Sequence, residues 1–491
     1  TPGATICRPA GAKTLLDIFV KSILQLLIGP AARRYGLRVA VPTLIVLWLG
    51  VTVWQATQFE IHPAADRTPF LLADPRPGVN DWPGWRGPSQ DGAVASEFLP
   101  PPTGSEGWSD VWRCRLDGAA QTGACVWGER VFVTATDTRQ AAIELVCLHR
   151  LTGAVEWRTP LTIIPVKTSP TKTRPTSSAV PACDGERVFV PVMADGELWM
   201  FAIQMNGRVA WKQAVGPARG HGVPRSSPTL SGSLVIVAHD QSGLPMLPGK
   251  PCSYLAGLHR QTGAIVYRIA RPNGDSDGTP IVAEIAGRPQ AVLTGRQGVR
   301  SYDPASGREI WHCKWKTART DGSVAFDAEH VYAASGEADG ELLCVGADGE
   351  GDVTESHVVW RERRPGQIAL SPLITQAGLI VLTRDGLLTA FHQTTGKPLW
   401  QKRSLGTCSL APLRIGTEGV CVISDEGHIT MLNADRRGDV LWEANLGRAV
   451  LAAPAVSQGR LILRTPDELL TIGGPDHDTL VQQPGASSKP L

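Results

Sequence analysis

The stretch LSPLITQAGLIVLTRDGLLTAFHQTTGKPLW, residues 370–400, decides the fold. Three apolar runs, at 370–374, 379–383 and 387–392, are separated by turn-like steps, and a fourth begins at Pro398. Runs this short, rich in Val, Ile, Leu and Thr, read as strands rather than helices. Gly396 stands four residues before the closing Trp400.

That spacing recurs at Gly153/Trp157, Gly207/Trp211, Gly307/Trp311 and Gly438/Trp442, and Gly263/Tyr267 keeps it with a smaller ring. Each unit also opens on small residues before a short turn and a β-branched strand, as at 227–230, 279–282 and 411–413. Trp360 closes a unit that has lost the spacing, and Trp112 stands alone near the start. The eight marks are 45, 54, 56, 44, 49, 40 and 42 residues apart. A period in this range, with about four strands per unit, indicates an all-β propeller.

The propeller is expected over residues 108–474. Its last unit, from 452 to 473, offers three strands and no closing Trp, whereas Trp112 has no three strands before it. One gap fills the other if the N-terminal strand completes the last blade, which removes the free sheet edges. The count is then eight four-stranded blades. Glycine and proline make up about 18% of the chain, above the usual ~12%, which suits a fold of many tight turns.

Ahead of the ring, residues 37–54 (LRVAVPTLIVLWLGVTVW) carry one charge, at Arg38, and span about 27 Å as a helix, close to the hydrocarbon thickness of a bilayer. They read as an uncleaved transmembrane helix, with a cleavable signal peptide as the competing reading, because a basic region followed by an apolar stretch describes one too. Residues 14–28 (TLLDIFVKSILQLLI) are apolar but shorter, with Phe19 and Ile23 on one helical face, and read as an interfacial helix, with a re-entrant segment, a docking helix or a second span as alternatives. Residues 1–36 hold a basic excess and acids gather after Trp54, so the positive-inside rule puts the N-terminus in the cytoplasm and the propeller outside the bacterial inner membrane. Residues 55–107 form a Pro/Gly-rich linker containing the strap DWPGWRGPSQDG (81–92), and 475–491 form a polar tail.

A formal charge of +2, with no basic stripe interleaved with aromatics, gives no reason to invoke nucleic acid. The ten cysteines include no CxxC or CxxCH, so haem attachment and a local zinc or iron–sulfur site are unsupported. Their repeated positions suit small core residues, and Cys408 with Cys421 is the pair most open to a disulfide.

The units YDPASGREIW (302–311), FHQTTGKPLW (391–400) and CLHRLTGAVEW (147–157) resemble the Trp-docking repeat of the pyrroloquinoline-quinone-like propeller family. Its members include quinoprotein dehydrogenases and the non-enzymatic barrel assembly lipoprotein of the outer membrane. The strap followed by such a propeller is similar to planctomycete-type relatives of that lipoprotein. The resemblance covers residues 81–474 and implies that Trp157, Trp211, Trp311, Trp400 and Trp442 pack between blades. Quinoprotein dehydrogenases use an adjacent Cys-Cys pair and bound calcium; no two cysteines are adjacent in this chain.

Candidate sites are few. Asn273, Asp275 and Asp277 alternate in PNGDSDGT, an oxygen-rich pattern that suits calcium but, without a Glu at the spacing of a calcium loop, reads first as an Asx-rich turn. His221, between glycines in RGHGVPR, is placed to approach the channel mouth, and Trp82 and Trp85 either plug one face of the ring or meet a ligand. No nucleophile–base spacing, phosphate loop or HExxH appears, and no cofactor is expected. The expectation is a membrane-anchored scaffold or accessory subunit that binds integral membrane or envelope proteins, touching the bilayer through residues 14–54. A quinoprotein-like oxidoreductase and a carbohydrate or small-ligand binder are the alternatives.

Overall fold

A computed structural model describes residues 74–94, 109–116, 122–137, 142–161, 178–218, 224–242, 252–315, 320, 322–336, 339–365, 370–403 and 406–473. The stretches 14–28 and 37–54 lie outside them. Among the described residues no helix is long and apolar enough to cross a membrane.

Alternating short strands and tight turns produce eight sheets. In blade 1 the strands Cys125–Trp127, Arg130–Asp137, Ala142–His149 and Val155–Pro160 pair in chain order. Six further blades repeat this order, starting from inner strands at Ala182–Cys183, Thr229–Ser231, Ile281–Ile285, Ala325–Phe326, Leu373–Thr375 and Leu413–Ile415. Blade 8 takes three strands from Ala455–Ser457, Arg460–Arg464 and Glu468–Gly473. Its outer strand is Ser109–Arg115, antiparallel in a register running from Ser109↔Gly473 to Arg115↔Glu468. The ring therefore has eight blades and closes through the N-terminal strand, as the unit count requires.

The recurring Gly and aromatic ring have a common geometric cause. Every outer strand carries one extra residue immediately before its ring: Val111, Glu156, Ala210, Val266, Ile310, Val359, Leu399 and Leu441 interrupt the ladder. A bulge re-aims the next side chain. In six blades the ring then lies on the turn glycine of the following blade: Trp112 on Gly153, Trp157 on Gly207, Trp211 on Gly263, Tyr267 on Gly307, Trp360 on Gly396 and Trp400 on Gly438. Five of these rings also donate to a carbonyl in that turn, of Arg150, Met205, Arg260, Pro304 and Gln393 in order, at 2.6–3.1 Å. Each of the six glycines has a left-handed φ of 67–86°. A Cβ on Gly153 would sit 2.4 Å from the Trp112 ring. The glycine thus meets two requirements at once, a turn conformation and a flat seat for its neighbour.

Blade 5 departs from the rule because its turn is replaced by the acidic excursion within 346–358. Gly351–Asp352 from that excursion pairs in parallel with the outer strand Glu309–Lys314 of blade 4, Trp311 opposite Gly351. Trp311 is consequently 0% exposed, and its indole donates to Gln290 Oε1 within its own blade at 2.8 Å. Trp112, Tyr267 and Trp360 are also buried, whereas Trp157, Trp211, Trp400 and Trp442 keep an exposed edge.

The small residues that open each unit are a second circumferential device. Val180 N donates to Ser227 Oγ, Ser227 N to Thr279 Oγ1, Thr279 N to Ser323 Oγ and Ser323 N to Ser371 Oγ, at 2.9–3.2 Å. Each bond joins one blade to the next just before its inner strand. Between blades 8 and 1 the contact is closer still, since a Cβ on Gly123 would lie 2.6 Å from Ala453 O. The nine described cysteines are free and buried, and Cys408 and Cys421 pack in separate core clusters.

Candidate functional site

The strap of residues 74–94 crosses one end of the ring and bonds to every blade. Trp82 exchanges both backbone bonds with Val126 of blade 1, at 3.0 and 2.8 Å. Pro83 O accepts from Cys183 N of blade 2, and Asp74 Oδ1 accepts from Gly232 N of blade 3. Gln90 Oε1 accepts from Val282 N of blade 4, and Trp85 Nε1 donates to Ser323 Oγ beside blade 5. Arg86 Nη2 donates to Pro372 O of blade 6, Ala93–Val94 adds a parallel strand to Leu413–Ile415 of blade 7, and Ser457 Oγ of blade 8 donates to Asn80 O.

The sequence folds locally to make this possible. Arg86 and Gln90 adopt left-handed φ values of 59° and 58°, and Gly87 and Gly92 values of 79° and 77°. The chain thereby curls around the Arg86 guanidinium, which donates to Asp91 O at 2.6 Å while Gly92 N returns to Arg86 O. Arg86 is 5% exposed, and burial lowers its pKa to about 10 against the pull of Asp91. The Trp82 ring lies beneath Gly87 and is 3% exposed, whereas Trp85 remains half-buried.

Trp85 faces a cleft of about 370 Å³ between the strap and blades 2, 3 and 4. Six of its nineteen lining residues are proline, and among the described residues Asp74 and Glu284 are its charged groups, with no Lys, Arg or His. Glu284 is exposed on the inner strand of blade 4; sequence reading did not single it out, because a lone acid near a turn looks like any solvated carboxylate.

The other sequence candidates lie apart. Asn273 Oδ1 accepts from Cys252 N at 2.6 Å, Asp275 takes the Ser242 backbone and hydroxyl at 3.0 and 2.8 Å, and Asp277 pairs with Arg225 at 2.7 Å. Their oxygens serve three separate partners, as in a turn-stapling role. Among the described residues no group of three or more His, Cys, Asp or Glu is placed to hold a metal ion. His221, Phe19 and Ile23 lie outside the described residues.

A second concentration of charge sits between blades 3 and 4. Arg271 grips Asp240 through two bonds of 2.8 Å, with the two side chains 1% and 4% exposed. Its remaining donors reach Tyr302 OH and Thr294 O at 3.0 Å. Burial opposes the charge on Arg271, but Asp240 outweighs it and holds the group above its ordinary pKa. Each guanidinium nitrogen is bonded within the packing, so this network serves as a structural clamp.

No cysteine pair is adjacent, and one end of the ring is crossed by Trp82, Trp85 and Arg86 of the chain itself.

The family model described as outer membrane protein assembly factor BamB matches residues 91–292 and 295–436. BamB of Shewanella oneidensis is 22% identical over 227 residues, which cover 44% of this chain and 54% of the relative. BamB of Nitrosomonas eutropha is 32% identical over 104 residues, covering 21% of this chain and 23% of the relative. The chain thus spans about half, or less, of the length of these curated relatives. The crystal structure of BamB from Moraxella catarrhalis matches with a TM-score of 0.53 at 18% identity, covering 76% of this chain and 99% of that one, a likeness of fold. Because the family model spans well over half of the sequence, this chain belongs to the pyrroloquinoline-quinone-like repeat propellers of the BamB family.

Proposed function

We propose that this protein is a non-enzymatic scaffold, an accessory subunit that holds other proteins together in a membrane or envelope assembly. The observation that carries this reading is the strap. A chain that straps one end of its own ring, with bonds to all eight blades, leaves faces, grooves and rim as its working surfaces. Rigid faces of this kind suit protein docking. The relatives named as outer membrane protein assembly factors point the same way. In this reading residues 37–54 anchor the propeller to the inner membrane from the periplasmic side, and residues 14–28 lie on lipid or a membrane neighbour.

The test is purification of the native protein in mild detergent, with photo-crosslinkers at Phe19 and Ile23 in intact membranes. A defined complex containing an integral membrane or envelope protein is expected. A monomer with no crosslinked neighbour overturns the proposal.

A further inference from the structure

The strap cleft has a chemistry that selects its occupant. Among the described residues two carboxylates line it and no cation does. Asp74 is held by Gly232 N, but Glu284 makes no hydrogen bond or ion pair with any described residue. Several wall positions offer no free donor. Pro77, Pro83, Pro88, Pro228 and Pro289 have no N–H, the indole N–H of Trp85 is committed to Ser323, and the Val282 N–H is committed to Gln90. Thr229 Oγ1 is likewise committed, to Pro280 O, which leaves the Gln90 amide and the Ser231 hydroxyl as neutral side-chain donors beside the two carboxylates and an aromatic edge. Its charged groups are both negative, so the cavity favours a positive group over an anion.

Its shape extends the argument. Pro289 also borders a second groove, of about 460 Å³, that runs beside blade 4 to Gly351 at the rim. Arg308 in that outer groove is exposed, and its guanidinium has no partner among the described residues. A free small cation would occupy only the inner end. An extended chain can follow both, since rigid, proline-lined surfaces receive segments that need no further ordering of the host.

We infer that the cleft under the strap is a docking site for an extended protein segment that inserts an Arg or Lys side chain toward Glu284 and Asp74. The inference deepens the scaffold reading and rests on it, naming the chemistry of the partner. Trp85 and the prolines would cover the aliphatic stem, and Glu284 would take the charged head.

The experiment uses the full chain in mild detergent and two fluorescein-labelled, proline-flanked decapeptides that differ only at the centre, arginine against neutral citrulline. Saturable binding of the arginine peptide is expected, with at least a tenfold weaker Kd for citrulline. Glu284→Lys should weaken the arginine peptide at least tenfold and Glu284→Gln by a smaller factor, whereas Glu443→Lys on the exposed rim of blade 7 leaves it unchanged. Absence of saturable binding, equal affinity for both peptides, or indifference to Glu284→Lys overturns the inference. So does competition by spermidine at the peptide's own concentration, which would make the cleft a free-polyamine site. Repeating the complex purification with Glu284→Lys separates the two readings. A wild-type complex that survives this change unaltered sinks the cleft and spares the scaffold. Peptide binding without any wild-type complex does the reverse.

Discussion

At the scale of single residues, the ring stores a pH response in His239. The side chain lies between blades 2 and 3, with its ring centroid 5.6 Å from that of Tyr254. Its edge is half-buried, yet Nε2 has neither solvent contact nor a hydrogen-bond partner. Burial lowers its pKa from 6.5 to about 4, although Asp240, Gln241 and Asp275 pull the other way. A histidine depressed on folding binds its proton first in the unfolded chain. Its contribution is therefore complete above pH 6.5 and is lost as pH falls from there to about 4. Allowing for the half-exposed edge, the loss is about 2 kcal/mol. Urea unfolding at pH 7.0 and 4.5 should show His239→Gln losing less stability over this interval than the parent. Parallel losses in the two proteins would assign the response to the carboxylates instead. Tyr254 makes the site this tight, because its ring lies against Gly216, where a Cβ would come within 2.9 Å.

At the scale of elements, the Gly–Trp unit was legible in sequence as a spacing, and the family resemblance put its tryptophans between blades, but the pairing of each ring with its glycine was not legible. Gly396 and Trp400 recur together in sequence without being partners in space. Instead Gly396 seats Trp360 of the blade before, and Trp400 reaches forward to Gly438. Contacts between successive units cannot be read from a repeat whose members are all alike. The strap was legible as packed and irregular from its tryptophans, glycines and prolines. Its eight attachments depend on ring closure, which a local window does not contain. Asn273, Asp275 and Asp277 alternate along the chain, but which segments take their oxygens, at Cys252, Ser242 and Arg225, is likewise set by neighbours outside the local window. The double demand on the turn glycine predicts a specific contrast. At Gly416, φ is 62° and nothing lies within 4 Å of the added Cβ, so Gly416→Ala should cost only about 1–2 kcal/mol of left-handed strain. At Gly396, φ is 67° and the Cβ would lie 2.6 Å from the Trp360 ring. Gly396→Ala should therefore cost about 1–3 kcal/mol more, from overpacking. Equal shifts in the urea midpoint would show that Trp360 moves aside freely.

At the scale of the whole molecule, one strand holds the ring shut, and its holding power resides in two different bonds. Ser109–Arg115 makes a ladder with Glu468–Gly473, and Leu116 N extends it to Asp467 O at 2.8 Å. The same strand projects Trp112 the other way, onto Gly153 of blade 1, where the indole donates to Arg150 O at 2.8 Å. Blades 8 and 1 are thus joined by a segment that belongs to the sheet of one and the packing of the other. Trp112 is 6% exposed, so Trp112→Ala removes a buried ring and its hydrogen bond at the joint, at a cost of about 3–5 kcal/mol. Trp400 offers an internal control. It stacks on Gly438 in the same manner but keeps an exposed edge, and it joins blades 6 and 7, which are already consecutive along the chain. Trp400→Ala should cost roughly 1–2 kcal/mol less, because less area leaves water on folding. The two variants should also differ in how they unfold. Opening the ring at its closure frees the outer edge of Glu468–Gly473, an unpaired row of donors and acceptors that invites fraying and intermolecular pairing. Limited proteolysis below the unfolding midpoint should therefore cut Trp112→Ala first within the residues of blade 8, with oligomers appearing as protein concentration rises. Trp400→Ala should resist cleavage there and remain monodisperse. If both variants unfold in one step with the same protease pattern, the strap alone suffices to hold the ring, and the closing strand is one blade edge among eight.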